Sequence, residues 1–408
     1  MIIPLHPSIP MFGKAFASFG NSTFRPLSLN PLLAYEAESS MVAPFERPTL
    51  DLDPSNPSSL DPITATRAGV ATYTDTDGVI QSADPNTVRV DYVDGVPMIL
   101  VEPSATNLIP STDFTSQGSA SVVSGIDAPD GSNNAWRVSD IQLTIGDRAF
   151  SQAASISPST EYTGSLYVRG TAGETISVYA KRQGGTYVGS QFVQVLLTGE
   201  WQRVKDLTLT TLADNTAVKV FVTNNGASDT ADVVDVWGAQ LEEGPVATSY
   251  IPTSGSTVTR NADDLVIEGS DFTDFYNQSE GTVYAEFSSK SDVDTALAEF
   301  RLNSSNRIVT GYIAPNTPWV GLVNTFNGSV DCALTAHSAP LDGTIMRGGF
   351  SYKQNNYKSS INGASELSDT SVSVPVNIDK VKIGQQSSKQ LNGHIKRLIY
   401  WPYHSDDL

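Results

Sequence analysis

Cysteine is almost missing: Cys332 is the single one in 408 residues. No disulfide can close within one chain, which excludes a disulfide-stapled secreted scaffold. Basic residues are scarce too. Lys and Arg number 25 against 44 Asp and Glu, for a formal net charge of −19. Nucleic acid needs a basic face, and no Lys/Arg cluster occurs anywhere, so no nucleic-acid partner is expected. The acidity is read as serving solubility. His6, His337, His394 and His404 stand far apart, with no H-x-x-x-H or C-x-x-C spacing, so no zinc site is expected. There is no G-x-S-x-G elbow and no P-loop. No apolar run reaches the roughly 18 residues of a membrane span, so no membrane insertion is expected. "MIIPLHPSIPMFGK" lacks the charge-then-apolar pattern of a secretory signal, so synthesis and folding in a cytosol are expected.

Small and turn-forming residues are abundant, and apolar residues make up 39%, enough for real cores but below the usual globular share. The length fits two or three domains. Residues 1–60 carry prolines at short intervals, which disfavours long helices and central strands. Phe12, Phe16, Phe19, Phe24, Leu32, Leu33, Tyr35 and Phe45 are nevertheless too apolar for a solvated linker. An extended anchoring arm, covered by a second molecule, accounts for both features. Residues 61–110 hold two hairpin signals, Asp77-Gly78 and Asp94-Gly95, and read as a small β meander.

Residues 111–247 alternate with period 2. Leu166 and Val168 share one face, with Ser165, Tyr167 and Arg169 on the other; Ile176, Val178, Ala180 and Val218, Val220, Val222 repeat the pattern. Trp201 stands at a strand start, where its ring would cap a core. Short strands without intervening amphipathic helices argue a two-sheet antiparallel sandwich. Residues 248–262 form an ordered polar connector at a seam, and 263–408 alternate again as a second sandwich. A short helical turn capped by Ser270 or Asp271 precedes it, with Phe272, Phe275 and Tyr276 as its apolar side. Residues 296–306 read as a hairpin rather than a helix. The fold class is therefore all-β, with no helix longer than two turns.

Catalytic signals are weak. Of the paired carboxylates, Asp75/Asp77 flank a turn and fit an Asx-turn. Asp232 and Asp235 have opposite strand parity. Asp263 and Asp264 diverge because they are adjacent, and Glu242/Glu243 break a strand. None makes the facing pair a glycosidase needs, so no enzyme is expected. Asp75 and Asp77 are the candidate ligands, with backbone carbonyls, for a Ca2+ ion; no other cofactor or metal is expected. Cys332 has the parity of a buried structural thiol. For sugar binding the candidates are Trp319, Tyr312, Asn327, Asn355 and Tyr357, rings and amides in or near predicted loops of the second sandwich.

The stretch "TATRAGVATYTDTDGVIQSADPNTVRVDYVDGVPMILVEPSATNLI" (64–109) resembles a segment of many tailed-phage virion proteins. Thr66, Arg67, Tyr73, Asp77, Gly78, Glu102, Pro103, Thr106, Asn107 and Leu108 carry the match. In those proteins the segment leads into a carbohydrate-binding-like jelly roll. "GAQLEEGPVATSYIPTSGSTVTRNADDL" (238–265) resembles the exit from that jelly roll. "YNQSEGTVYAEF", "INGASE", "VKIG" and "LNGHIKRLIYWP" resemble the concanavalin A/laminin-G-like lectin domain that follows. The resemblance covers about residues 62–408. It implies a phage fibre, spike or appendage protein on the virion exterior, made in the bacterial cytoplasm. It also implies a homo-oligomer, commonly a trimer, that decorates the particle or binds host surface glycans. The first 60 residues lie outside it, which suits an anchor to other virion proteins. The Ca2+ ligands of some laminin-G-like domains have no counterpart here. No length after "WPYHSDDL" is expected to form a shaft. A tailspike-type glycan depolymerase and a ligand-free decoration protein are the alternatives.

Overall fold

The computed structural model describes residues 47–141, 148–186, 191–224, 228–290, 295–313, 319–338 and 340–408. The eight apolar residues singled out in the N-terminal arm lie outside the described residues. The chain is nearly all β, as its period-2 patterning required. Among the described residues the α-helix is a single turn, Ser270–Thr273. Its cap is Gly269, one residue earlier than expected, and Phe272 and Phe275 are its buried side.

The first sandwich packs a five-stranded sheet on a six-stranded one. The five-stranded sheet runs Gln202–Thr210, Glu161–Gly170, Val234–Glu243, Ala135–Ser139, Ser121–Ile126. The other runs Gln191–Leu196, Thr175–Gln183, Ala217–Thr223, Arg148–Ser151, Phe114–Gln117, with Ala154–Ser155 as its sixth strand, paired on Ala217–Thr223. All pairings are antiparallel. Leu166, Val168, Ile176, Val178, Ala180, Val218, Val220 and Val222 meet in one core between the sheets, as their parity demanded. Burying each such aliphatic contributes about 1.5–3 kcal/mol relative to exposure.

The second sandwich is larger than residues 263–408. Its eight-stranded sheet includes Val90–Val93 and Val96–Val101, and Val96–Val101 pairs with Gly393–Trp401. Leu50–Leu52 also pairs with Gly393–Trp401. Thr64–Thr66 adds to the facing sheet through Asp264–Glu268. The expected meander at 61–110 is therefore not a separate unit. Its hairpins are local, but Ile99 and Val101 find cover on the C-terminal core and Ile80 in a small cluster at the seam. The same correction moves the arm boundary: Leu50, Leu52 and Leu60 are buried in that core, so residues 47–60 are part of the sandwich and not of an extended arm.

The turns behave differently from one another. Asp94 and Gly95 both have positive φ, 51° and 77°, and close the two-residue turn that their sequence signals. At Asp77-Gly78 the loop is a residue longer. The Asp75 N–H donates to the Val79 carbonyl at 2.9 Å, and Gly78 takes the left-handed position at φ 80°. The Asp75 carboxylate accepts from the Asp77 and Val79 amides, which pulls the turn into this wider form. Residues 298–313 form the expected hairpin.

The seam between the sandwiches is where the outer face of Val234–Glu243 is covered. That strand is buried on both faces, apart from its last residue. Val234, Val236, Ala239 and Leu241 face the first core, while Trp237 joins Tyr250 and Ile80 in a small separate cluster. A bulge opposite Leu166 allows the switch. Gly238 adopts φ 63° there, and a Cβ on it would lie 3.2 Å from ring atoms of both Tyr167 and Tyr250. The connector is ordered: Val258–Arg260 pairs with Ala105–Asn107, and Thr248, Tyr250 and Ile251 are buried.

Candidate functional site

Residues 47–406 belong to one compact unit, and a cleft opens along this seam. Its volume is about 510 Å3, within the range of small-ligand sites. One wall is the outer face of the first sandwich. Tyr167 and Arg203 are direct cross-strand partners there, and Trp201 and Lys205 flank Arg203 along the chain. Alternation explains the grouping: Val204 turns into the core, so Arg203 and Lys205 turn outward. A second wall comes from the hairpins at 71–94 and carries Tyr73, Asp91, Tyr92 and Asp94. The third comes from the C-terminal sandwich, with Lys290, Asp342, Asn392 and His394.

The rings are held in place. Tyr167 meets Trp237 edge-on with centroids 5.3 Å apart, and Trp237 lies 4.3 Å from Tyr250. The Arg169 guanidinium sits over Trp201 at 4.6 Å. Burial pushes the Tyr167 phenol up, against the opposing pull of Arg203. The Asp91 carboxylate accepts from the Thr74 amide at 2.6 Å and lies 2.9 Å from His394 Nε2.

Behind the cleft floor lies a buried ion cluster. Arg67 Nη1 donates to Asp263 at 2.9 Å, and Arg89 Nη2 donates to Glu102 at 2.8 Å and also to Asp263. Arg260 stands 3.5 Å from Glu102. Burial alone would raise the Glu102 carboxyl. Arg260, Arg89 and the two bonds from Ser249 outweigh it and hold the group well below the usual carboxylate range. Arg67 and Glu102 come from the stretch that the sequence motifs picked out at 64–109, and Asp263 from the one at 238–265. Those motifs therefore build the joint, and only its outer surface reaches the cleft.

The other residues singled out are scattered. Tyr357 is fully buried in the second core, its hydroxyl donating to the Ser373 carbonyl at 3.3 Å, so it presents no ring face to a ligand. Its strand pairs on both sides, which turned a predicted near-loop ring inward. Asn327 and Asn355 are exposed turn residues with φ of 50° and 58°. Tyr312 and Trp319 lie in the strands Asn306–Ile313 and Trp319–Phe326, and their side chains are outside the described set. Of the described three, Asn327, Asn355 and Tyr357, none lines the cleft. Among the carboxylate pairs, Asp263 is buried while Asp264 pairs with Lys382 at the surface. Glu242 is buried while Glu243 is exposed. Asp75 gives one oxygen to two backbone amides and the other to Gln81 Nε2. Among the described residues, no group of three or more His, Cys, Asp or Glu stands ready for a metal. Cys332 is buried, and burial together with Asp369 and Asp331 pushes its thiol up to about 12.

Sequence reading missed Tyr92, Tyr167, Arg203 and His394 as cleft residues. The available signal was the non-core face of 161–170 and 201–205, where rings and cations alternate with core positions. It reads as a solvated face until a second sandwich is known to lie against it.

No family model matches the chain, and no curated protein does. Solved structures give low-scoring likenesses. A Clostridium thermocellum xylanase 10B CBM22-1–GH10 structure complexed with xylohexaose is 13% identical with a TM-score of 0.26. The match covers 33% of this chain and 27% of that one, so the chain spans about a quarter of it. Mouse laminin α1 domains LG4-5 give 13% and 0.25, over 78% and 92% of the two chains. The tail fibre protein gp63.1 of an E. coli phage gives 7% and 0.21, over 87% and 41%. Scores of this size assign no activity to the chain.

Proposed function

We propose that this chain is a non-enzymatic glycan-binding protein of a tailed-phage virion, serving host-surface adhesion or particle decoration, and that the inter-sandwich cleft takes the sugar. The cleft carries the reading. It sets five rings, Tyr73, Tyr92, Tyr167, Trp201 and Tyr250, beside amide, carboxylate and ammonium groups. Rings pack on the apolar face of a pyranose, and such polar groups bond its hydroxyls. The virion setting rests on the resemblance at 64–109 and 238–265. In that setting the arm docks the chain on other virion proteins, and oligomerisation into a trimer multiplies weak sugar contacts by avidity.

The test is a glycan array probed with the full chain and with Trp201→Ala, run beside a reducing-sugar assay. Array binding that falls with Trp201→Ala, without released reducing ends, is the expected result. A blank array sinks the reading in favour of a ligand-free decoration protein. The second reading, a glycan depolymerase, is favoured by Asp91, Asp94 and Asp342, three carboxylates lining the same cleft. It predicts released reducing ends that Asp91→Asn abolishes. The anchor is tested by deleting residues 1–46, which spares the buried Leu50 and Leu52. Particles that still incorporate the truncated chain at normal copy number refute it.

A further inference from the structure

One cleft guanidinium lacks the partner that arginine usually finds in this acidic chain. Arg67, Arg89, Arg137, Arg169, Arg307 and Arg397 each donate to a carboxylate at 2.8–2.9 Å. Arg203 donates instead to the neutral Ser165 Oγ at 3.0 Å, and its guanidinium lies over the Tyr167 ring at 5.4 Å. Its buried Nε has no hydrogen-bond partner. Glu242 is near enough to feel the Arg203 charge. Burial nevertheless keeps the Glu242 carboxyl above its ordinary value, and its oxygens take their bonds from Gln240 and Thr248. A guanidinium fixed by a ring and a hydroxyl, rather than bonded directly to an anion, is pre-oriented without an ion pair of its own.

The surroundings add to this. Gln202–Thr210 is an edge strand, and Trp201, Arg203 and Lys205 line the cleft along it. At about 3.3 Å per residue, Trp201 and Arg203 are about 6.6 Å apart along the strand, a span comparable with one sugar unit. Lys290 lines the facing wall. The buried cluster behind the floor sets three guanidiniums (Arg67, Arg89, Arg260) against two carboxylates (Glu102, Asp263), one positive charge in excess. Of the carboxylates lining the cleft, Glu102 is engaged by that cluster and Asp91 by Thr74 and His394. Asp94 and Asp342 are exposed.

We infer that the cleft is selective for an acidic glycan, one bearing a uronic or sialic acid unit whose carboxylate seats on Arg203 while its ring lies against Trp201. The inference rests on the glycan-binding reading above and specifies its ligand class. The experiment measures binding of the full chain to a panel of bacterial capsular and envelope oligosaccharides, each presented in native and carboxyl-reduced form. At least one acidic member is expected to bind about tenfold or more tightly than its reduced counterpart. Arg203→Met is expected to abolish that difference, whereas Trp201→Ala weakens both forms. Arg203→Lys, which keeps the charge but not the fork, is expected to retain part of the difference and serves where Arg203→Met does not fold. Equal binding of both forms overturns the acidic-glycan inference while leaving sugar binding intact. A full acid preference in the Arg203 variants overturns it by placing the carboxylate elsewhere. No binding to any member overturns the underlying reading itself.

Discussion

Replacing Asp263 by alanine is expected to uncouple the seam. One Asp263 carboxylate accepts from Arg67 at 2.9 Å, from Arg89, and from the Glu102 amide at 2.9 Å, all with side chains at most 2% exposed for Arg67, Arg89 and Asp263. Its loss leaves Arg67, Arg89 and Arg260 facing Glu102 alone. Removing one side of a buried ion pair costs about 3–5 kcal/mol. The two pairs share an acceptor, so their costs do not add. The expected loss is therefore about 3–5 kcal/mol in total, read by urea unfolding. Trp237 lies in the seam cluster and is one of five tryptophans, so its contribution to the fluorescence, isolated against a Trp237→Phe background, reports the joint while far-UV circular dichroism reports both sandwiches. The variant is expected to show a fluorescence transition at lower urea than the dichroism transition, a departure from two-state behaviour. Asp264→Ala is the control. The Asp264 carboxylate is 44% exposed, lies 3.5 Å from Lys382 and accepts from Gln385 Nε2 at 2.5 Å, so its loss is expected to cost about 1–2 kcal/mol, less than that of Asp263. Similar small losses for both variants, with coincident transitions, refute the idea that the buried cluster joins the sandwiches.

Further outcomes follow from the same residues. Glu102 has a folded-state pKa below its unfolded value of 4.5, so its stabilisation is present above pH 4.5 and is lost as pH falls through the folded value; flat stability from pH 5 to pH 2.5 contradicts this. Gly238→Val combines positive φ with a Cβ 3.2 Å from two rings and is expected to cost about 2 kcal/mol or more, against about 1 kcal/mol for Gly95→Ala, where nothing lies within 4 Å. Thermal unfolding of the pair checks the contrast, and equal shifts negate it. Native Cys332 is expected to resist a thiol reagent at pH 8 and to react at once in denaturant; rapid native labelling contradicts its burial. Tyr357→Phe is expected to lose about 0.5–1.5 kcal/mol and Tyr357→Ala about 3–5 kcal/mol, with sugar binding by the Phe variant unchanged. Lost binding there gives Tyr357 a role that its burial denies.

Much of the fold was legible because a period of two is local information. Leu166 and Val168 point one way whatever lies beyond them, and Asp94-Gly95 turns the chain by its own backbone preferences. The wide loop at Asp75–Val79 was less legible, because it is set by the Asp75 carboxylate reaching two amides. Tyr357 misled because a ring near predicted turns gives no sign of how many strands will flank it. The candidate site was largely illegible. Tyr92, Tyr167, Arg203 and His394 are separated by up to some 300 positions, and nothing local marks them as neighbours.

Composition and alternation determined that this chain makes antiparallel sandwiches, with turns at its Asp-Gly and Asn-rich steps and a joint near residues 236–263. Only the tertiary structure decided that strands from 50–101 complete the second sandwich, that Arg67, Arg89, Arg260, Glu102 and Asp263 meet at the joint, and that a cleft opens beside them. The reason is physical. Parity fixes which way a side chain leaves its strand, but what it meets there depends on contacts between distant segments. Those contacts are chosen by the burial of whole faces at once.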